Sequence, residues 1–148
     1  MTGVFADSSA LVKLYADEPD AEAVRALPLL IVSQLARVEV PAALWRKHRA
    51  GELSAADTGV LVAAFEADYF GTAAEPARFF VIAVTAQLLD DAAHLVAVHG
   101  LRAYDATQLA GACAASAAVT DGIGFVAVDK TLRAAAAAEG LDLVPELP

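Results

Sequence analysis

The chain has 148 residues, 58% of them hydrophobic, and a mean hydropathy of +0.54, which excludes a disordered polymer and suits one domain with a sizeable core. Its 19 Asp and Glu oppose 10 Lys and Arg, and the resulting net charge of −9 disfavours a passive nucleic-acid binder that relies on a basic footprint. No apolar run reaches the roughly 18 residues a membrane span needs, and the opening Met1-Thr2-Gly3-Val4-Phe5-Ala6-Asp7 is unlike a signal peptide, having no basic region and an acid at position 7.

In chain order, residues 2–7 predict a buried strand and 8–16 a short helix. Pro19 and Asp20 start a second helix to about Leu27, and Pro28 precedes a strand at 29–32. Ser33 is placed to cap a helix running to about Ala50, with a kink or break expected near 37–41 because Pro41 lies inside it. Gly51 ends that helix, and Ser54 caps the next, 55–70, with an apolar stripe at Val60, Leu61, Ala64 and Phe65. After a loop from Gly71 to Pro76, Arg78 to Val81 predict a short strand. A helix from Thr85 to His99 stops at Gly100, and an alanine-rich helix occupies 105–119. A strand at 124–128, a helix at 130–139 ended by Gly140 and a last strand at 142–144 complete the pattern. Strands separated by helices imply an α/β fold with a central, mostly parallel sheet, as a single domain over 1–148.

Four acids stand out: Asp7, Glu39, Asp105 and Asp129. Asp7 and Asp129 close strand-like runs, Asp105 opens a helix-like run, and Glu39 lies early in the helix after the second strand. In a parallel sheet, ligands bind outside the carboxyl ends of the strands, so carboxylates from separate segments can converge there on a hard divalent cation. Each acid also has an ordinary reading, since Asp is a favoured N-cap, Asp105 with Gln108 outlines a capping box, and Glu39 fits a helix surface. Ser8, Ser9 and Thr107 can orient a carboxylate or water, or simply cap. Asp121 is a further acid expected near the same sheet edge. His48, His94 and His99 lack metal-ligand spacing, and no Ser–His–Asp or Cys–His set is visible. Arg46, Lys47 and Arg49 with His48 suit a solvated helix end beside Gly51, or contacts to phosphate. The single Cys113 has no partner for an internal disulfide, and a reduced cytoplasm is the simplest compartment.

Four stretches, in order and spanning nearly the whole chain, resemble the PIN-domain family, and more closely the VapC-type toxins of type II toxin–antitoxin systems. They are Phe5 to Lys13 (FADSSALVK), Ala36 to Leu44 (ARVEVPAAL), Leu101 to Ala110 (LRAYDATQLA) and Phe125 to Leu132 (FVAVDKTL). The resemblance implies a three-layer α/β/α PIN-like domain whose metal-binding, catalytic acids are Asp7, Glu39, Asp105 and Asp129. It further implies a Mg²⁺- or Mn²⁺-dependent ribonuclease, a homodimer, and inhibition by a cognate VapB-like antitoxin. One departure stands out: many members carry Thr or Ser two residues before the fourth acid, where this chain has Ala127. Oxygen ligands suit Mg²⁺ or Mn²⁺, which accept substrate phosphate and serve phosphodiester hydrolysis. Surplus apolar residues around Val60–Phe70 and Phe79–Leu89 also point to a two-fold dimer. Two other classes stay open. One is a non-catalytic PIN-fold interaction module. The other is a receiver-like phosphate-handling domain, which expects paired acids after the first strand, whereas Asp7 has no acidic neighbour.

Overall fold

The structure is a computed structural model that describes residues 2–144; Met1 and residues 145–148, the two ends of the expected 1–148 domain, lie outside the described residues. The elements follow in the order β1 (Val4–Ala6), α1 (Ser8–Leu11), α2 (Ala21–Arg25), β2 (Leu30–Ser33), α3 (Ala36–Arg49), α4 (Ala55–Phe70), β3 (Phe80–Ile82), α5 (Ala86–His99), α6 (Ala103–Ala117), β4 (Gly124–Val126), α7 (Lys130–Ala138) and β5 (Asp142–Leu143). All strand pairings are parallel, and the sheet order is β3-β2-β1-β4-β5. The fold is therefore α/β, with helices layered on both faces of a parallel sheet.

Alternation along the strands builds two cores. Phe5, Ile31 and Phe125 face a cluster with α5, α6 and α7, including Leu88, Leu95, Leu109 and Leu132. Val4, Ala6, Leu30, Val32 and Val126 face the other side, against Leu11 of α1, Val40 and Leu44 of α3 and Phe65 of α4. Phe5 and Phe125 sit on neighbouring strands with parallel rings 6.0 Å apart, and both are fully buried. Each such side chain contributes about 1.5–3 kcal/mol through removal of apolar area from water. Gly111 lets α6 lie close to β1: a Cβ there would come within 3.2 Å of the Phe5 ring. Of the expected surplus apolar surface, Phe65, Phe79 and Leu88 are core, while Val60, Phe70, Phe80 and Leu89 remain exposed.

Local chemistry explains the element ends. Asp7, Ser54, Thr85 and Asp129 cap their helices through side-chain oxygens, each satisfying an amide the helix cannot. Gly71 and Gly100 close α4 and α5 with positive φ. Four details differ from the sequence expectation. The first helix is short: after Leu11 the chain tightens into a 3₁₀ turn, Val12–Leu14. Ser33 ends β2 instead of capping α3, and its Oγ accepts from the Leu35 amide at 3.1 Å in a local turn that delays the helix to Ala36. Helix α3 runs unbroken through Pro41, which lies in its second turn and deprives only the Arg37 carbonyl of an intrahelical partner. Asp105 is not a cap; α6 begins at Ala103, after Arg102, and carries Asp105 in its first turn.

The strand order has one reversal. From β1 the chain moves to β2 and β3 on one side, then returns through α5 and α6 to β4 on the other. The crevice between the carboxyl ends of β1 and β4 is thus a topological switch point, where α/β sheets bind ligands. Asp7 follows β1 directly, and Asp129 comes three residues after the end of β4.

Candidate active site

A cavity of about 620 Å³ opens at this end of the sheet, and Asp7, Glu39 and Asp105 all line it. Three different elements deliver them: the β1–α1 junction, the first turn of α3 and the first turn of α6. Asp7 is buried, while Glu39 and Asp105 are half-buried. Asp129 lies outside the cavity lining; it is exposed and caps α7 by accepting from the Leu132 amide at 2.8 Å. It is still near enough to act, with Asp7, on the charge of Arg102. Asp121 precedes β4, at the amino end of the sheet, so it stands at the edge opposite the cavity, contrary to the sequence expectation. The reason is simple: its turn feeds the strand where those of Asp7 and Asp129 leave one.

Each of the three cavity acids has one oxygen engaged. Asp7 Oδ2 accepts from Ser9 Oγ at 2.5 Å and from the Ser9 amide at 3.4 Å. Glu39 Oε1 accepts from Ser8 Oγ at 3.2 Å and from Gln108 Nε2 at 2.7 Å. Asp105 Oδ2 accepts from Arg102, at 3.0 Å from both Nε and Nη2. The second oxygen of each accepts no hydrogen bond among the described residues. Gln108 also donates to Ser8 Oγ at 2.8 Å, which closes a triangle of Gln108, Ser8 and Glu39. Gln108 is fully buried, and its Oε1 is a buried acceptor without a donor. Such an atom costs about 1–3 kcal/mol unless something fills the need.

Gln108, expected as half of a capping box with Asp105, instead spans the site, donating to Ser8 and Glu39. The available signal was helical spacing: Gln108 is three residues after Asp105, on the same face of an otherwise apolar, alanine-rich helix. Ser8 and Ser9 orient carboxylates, while Thr107 turns back to the Ala103 carbonyl at 2.8 Å. The histidines lie elsewhere: His48 bonds the Leu53 carbonyl and His99 bonds Glu139. Ala127 is fully buried within the cluster under α5, α6 and α7, and its carbonyl accepts from Arg133 at 3.2 Å.

The electrostatics follow from burial and like charge. Burial pushes the Asp7 carboxyl up to about 6, Ser9 opposes this, and the charges of Glu39 and Asp105 add to it. Burial also raises Glu39, against the hydrogen bonds from Gln108 and Ser8, and with a further push from Asp105. The cavity therefore holds more negative charge than its one bonded guanidinium, Arg102, compensates.

Whether these residues suit a divalent cation can be judged from the donors. Three carboxylates each present a second oxygen, and hard oxygen donors are what Mg²⁺ or Mn²⁺ takes. Among the described residues, no three His, Cys, Asp or Glu side chains are drawn tightly enough together to enclose an ion unaided. Mg²⁺ keeps several waters and is commonly held by one or two carboxylates, so the donor set fits a hydrated ion better than a fully enclosed one.

No protein-family model and no curated protein matches this chain.

Proposed function

We propose that the chain is a metal-dependent endoribonuclease of the PIN-domain family, the VapC-type toxin of a toxin–antitoxin pair, with Asp7, Glu39, Asp105 and Asp129 as its metal-binding and catalytic acids. The observation that carries the reading is the meeting of Asp7, Glu39 and Asp105, from three separate elements, in one cavity at the carboxyl end of a parallel sheet. The switch-point location supports it, since that crevice is where such sheets hold ligands.

A bound Mg²⁺ or Mn²⁺ supplies a water of lowered pKa and neutralises charge on the phosphate and the leaving oxygen. The chain's own part is positional. Ser9 fixes one oxygen of Asp7, and the Ser8–Gln108 pair fixes one oxygen of Glu39, which leaves the second oxygen of each free for a ligand in the cavity they line. Asp129, tied to the start of α7, adds charge at the rim, and Arg102 holds Asp105. Hydrolysis places the water oxygen on phosphorus and breaks the bond to one ribose oxygen, which leaves with a proton. This hydrolysis requires no covalent intermediate, and the hydroxyls in the lining, Ser8 and Ser9, serve to orient Glu39 and Asp7.

Further parts of the proposal are a homodimer, supported by the exposed Val60, Phe70, Phe80 and Leu89, and a VapB-like antitoxin whose Arg binds the acid pocket, supported by that pocket's excess of carboxylates. No helix among the described residues is long and apolar enough to cross a membrane. A cytoplasmic location is supported by the single Cys113, which can form no internal disulfide.

The experiment is cleavage of labelled RNA with Mg²⁺, with EDTA, and with Asp7→Asn. Cleavage that needs Mg²⁺ and is lost in Asp7→Asn is the expected result; equal cleavage by wild type and Asp7→Asn at saturating Mg²⁺ rejects the assignment. The competing reading, an interaction module on the same fold, is favoured by the lack of a tight three-ligand group among the described residues. It requires that wild type and Asp7→Asn bind Mn²⁺ equally weakly in calorimetry.

A further inference from the structure

The acid cavity has a neighbour. A second cavity of about 420 Å³ adjoins it, with Lys13, Glu18, Lys47 and Glu52 among its lining residues. Ser9, Ala43 and Arg46 line both, so Arg46 stands at the junction.

The cations around these cavities differ in one respect. Lys13 is buried, bonded to the Pro19 carbonyl at 2.5 Å and paired with Glu18 at 3.3 Å. Lys47 is held by Glu18 at 2.7 Å and by Glu52 at 3.4 Å. Arg102 is held by Asp105. Arg46 is exposed and forms no ion pair among the described residues. In a chain with 19 acids against 10 bases, an uncompensated guanidinium beside three carboxylates calls for an explanation. A helix-end role is one, but Lys47, His48 and Arg49 already place cations in the last turn of α3. An anion that must approach the acids is another, because a polyanion needs positive charge next to an acidic pocket to dock at all.

We propose that the two cavities form one groove for single-stranded RNA. The scissile phosphate lies over the acids, Arg46 binds a neighbouring backbone phosphate through its two-pronged donor face, and the strand continues into the second cavity. The inference rests on the ribonuclease reading and adds to it the direction the strand takes and the residue that sets it. Lys13 and Lys47, already neutralised by Glu18 and Glu52, line the path without gripping it.

The test compares wild type and Arg46→Gln by fluorescence anisotropy, with Ca²⁺ replacing Mg²⁺ to suppress turnover. The probes are a labelled random-sequence RNA octanucleotide, which spans both cavities, and an RNA dinucleotide, which fills only the first. Mn²⁺ affinity is read by calorimetry, and unfolding temperature confirms that the exposed substitution leaves the fold intact. Expected is an octanucleotide affinity about tenfold lower, the scale of one charge-assisted contact. The slope of log affinity against log salt should flatten by about 0.7, the value for one single-strand phosphate. Dinucleotide and Mn²⁺ affinities should not change. An unchanged octanucleotide affinity overturns the groove, as does an equal loss for the dinucleotide. An octa-aspartate peptide that displaces the octanucleotide as well as unlabelled RNA does would assign the groove to an acidic protein segment instead. If wild type binds neither oligonucleotide, the ribonuclease reading itself fails and the groove with it, which separates the two failures.

Discussion

Replacing Asp7 by Asn should stabilise the metal-free protein at neutral pH, even as it removes activity. Asp7 is buried with Glu39 and Asp105 nearby, and its carboxyl rises from the ordinary aspartate value of 3.8 to about 6. A raised acid binds its proton more tightly in the folded state, so its ionisation costs stability as pH climbs through the interval between the two values. Below pH 3.8 folded and unfolded chains are both protonated and nothing is lost. Above pH 6 both are ionised and the full penalty, about 3 kcal/mol, is present. Asn carries no charge and escapes it. Its added N–H₂ group is hydrated less well in the cavity than in water, which offsets about 1 kcal/mol. The net gain at pH 7.5 is about 2 kcal/mol, or about 4–8 °C in unfolding temperature for a chain of this size. At pH 4.5 the ionisation penalty has shrunk to about 1 kcal/mol and the gain should vanish. The assay is thermal unfolding by circular dichroism in EDTA at both pH values. An Asp7→Asn protein no more stable than wild type at pH 7.5, or one with the same gain at pH 4.5, would refute the burial-and-repulsion account. Adding Mn²⁺ should reverse the order, because only wild type gains from ligation.

Gln108→Leu keeps the volume of the buried side chain and removes the donor to Ser8 and Glu39; Mn²⁺ affinity should fall about 10- to 100-fold by calorimetry with the fold retained, as for loss of a group that orients a ligand. Gly111→Val, whose first added atom meets the Phe5 ring at 3.2 Å, should cost about 1–3 kcal/mol in urea unfolding. Ala127→Thr puts a hydroxyl into a fully buried apolar cluster and should also cost about 1–3 kcal/mol, read the same way, so that no gain in activity comes free of a loss in stability. Light scattering at micromolar concentration should give a dimer mass, and Phe80→Asp, on the exposed edge strand β3, should lower it towards a monomer.

What could be seen in the sequence was local. Caps at Asp7, Ser54, Thr85 and Asp129, and the stops at Gly51 and Gly100, depend on neighbours within one turn, and the helix and strand order followed from them. Ser33 misled because a serine between a strand and a helix can serve either a cap or a turn, and the two patterns look alike along the chain. Asp7 and Asp105 were visible because each sits where a segment changes character, whereas Glu39, inside a helix, stood out only by its place early in the helix after the second strand and by the family resemblance. The triangle that holds Glu39 was not visible: Gln108 lies 69 residues from Glu39 and 100 from Ser8, and only packing of α6 over β1 brings them together. Arg46 was visible as one of several cations; that it forms no ion pair among the described residues is a property of the folded surface.

The pairing of β1 with β4 has a consequence in time. Asp7 and Glu39 are made early, yet β1 gains its neighbour on one side only when Gly124–Val126 arrive, and Glu39 receives its amide donor only with α6. At about 5–20 residues per second, the ribosome needs on the order of 6–24 s to pass from Asp7 to Val126. Through that interval the first acids exist on a nascent chain that cannot assemble them. A protein of the proposed kind would thus be harmless to the ribosome making it until the last third of its sheet had been synthesised.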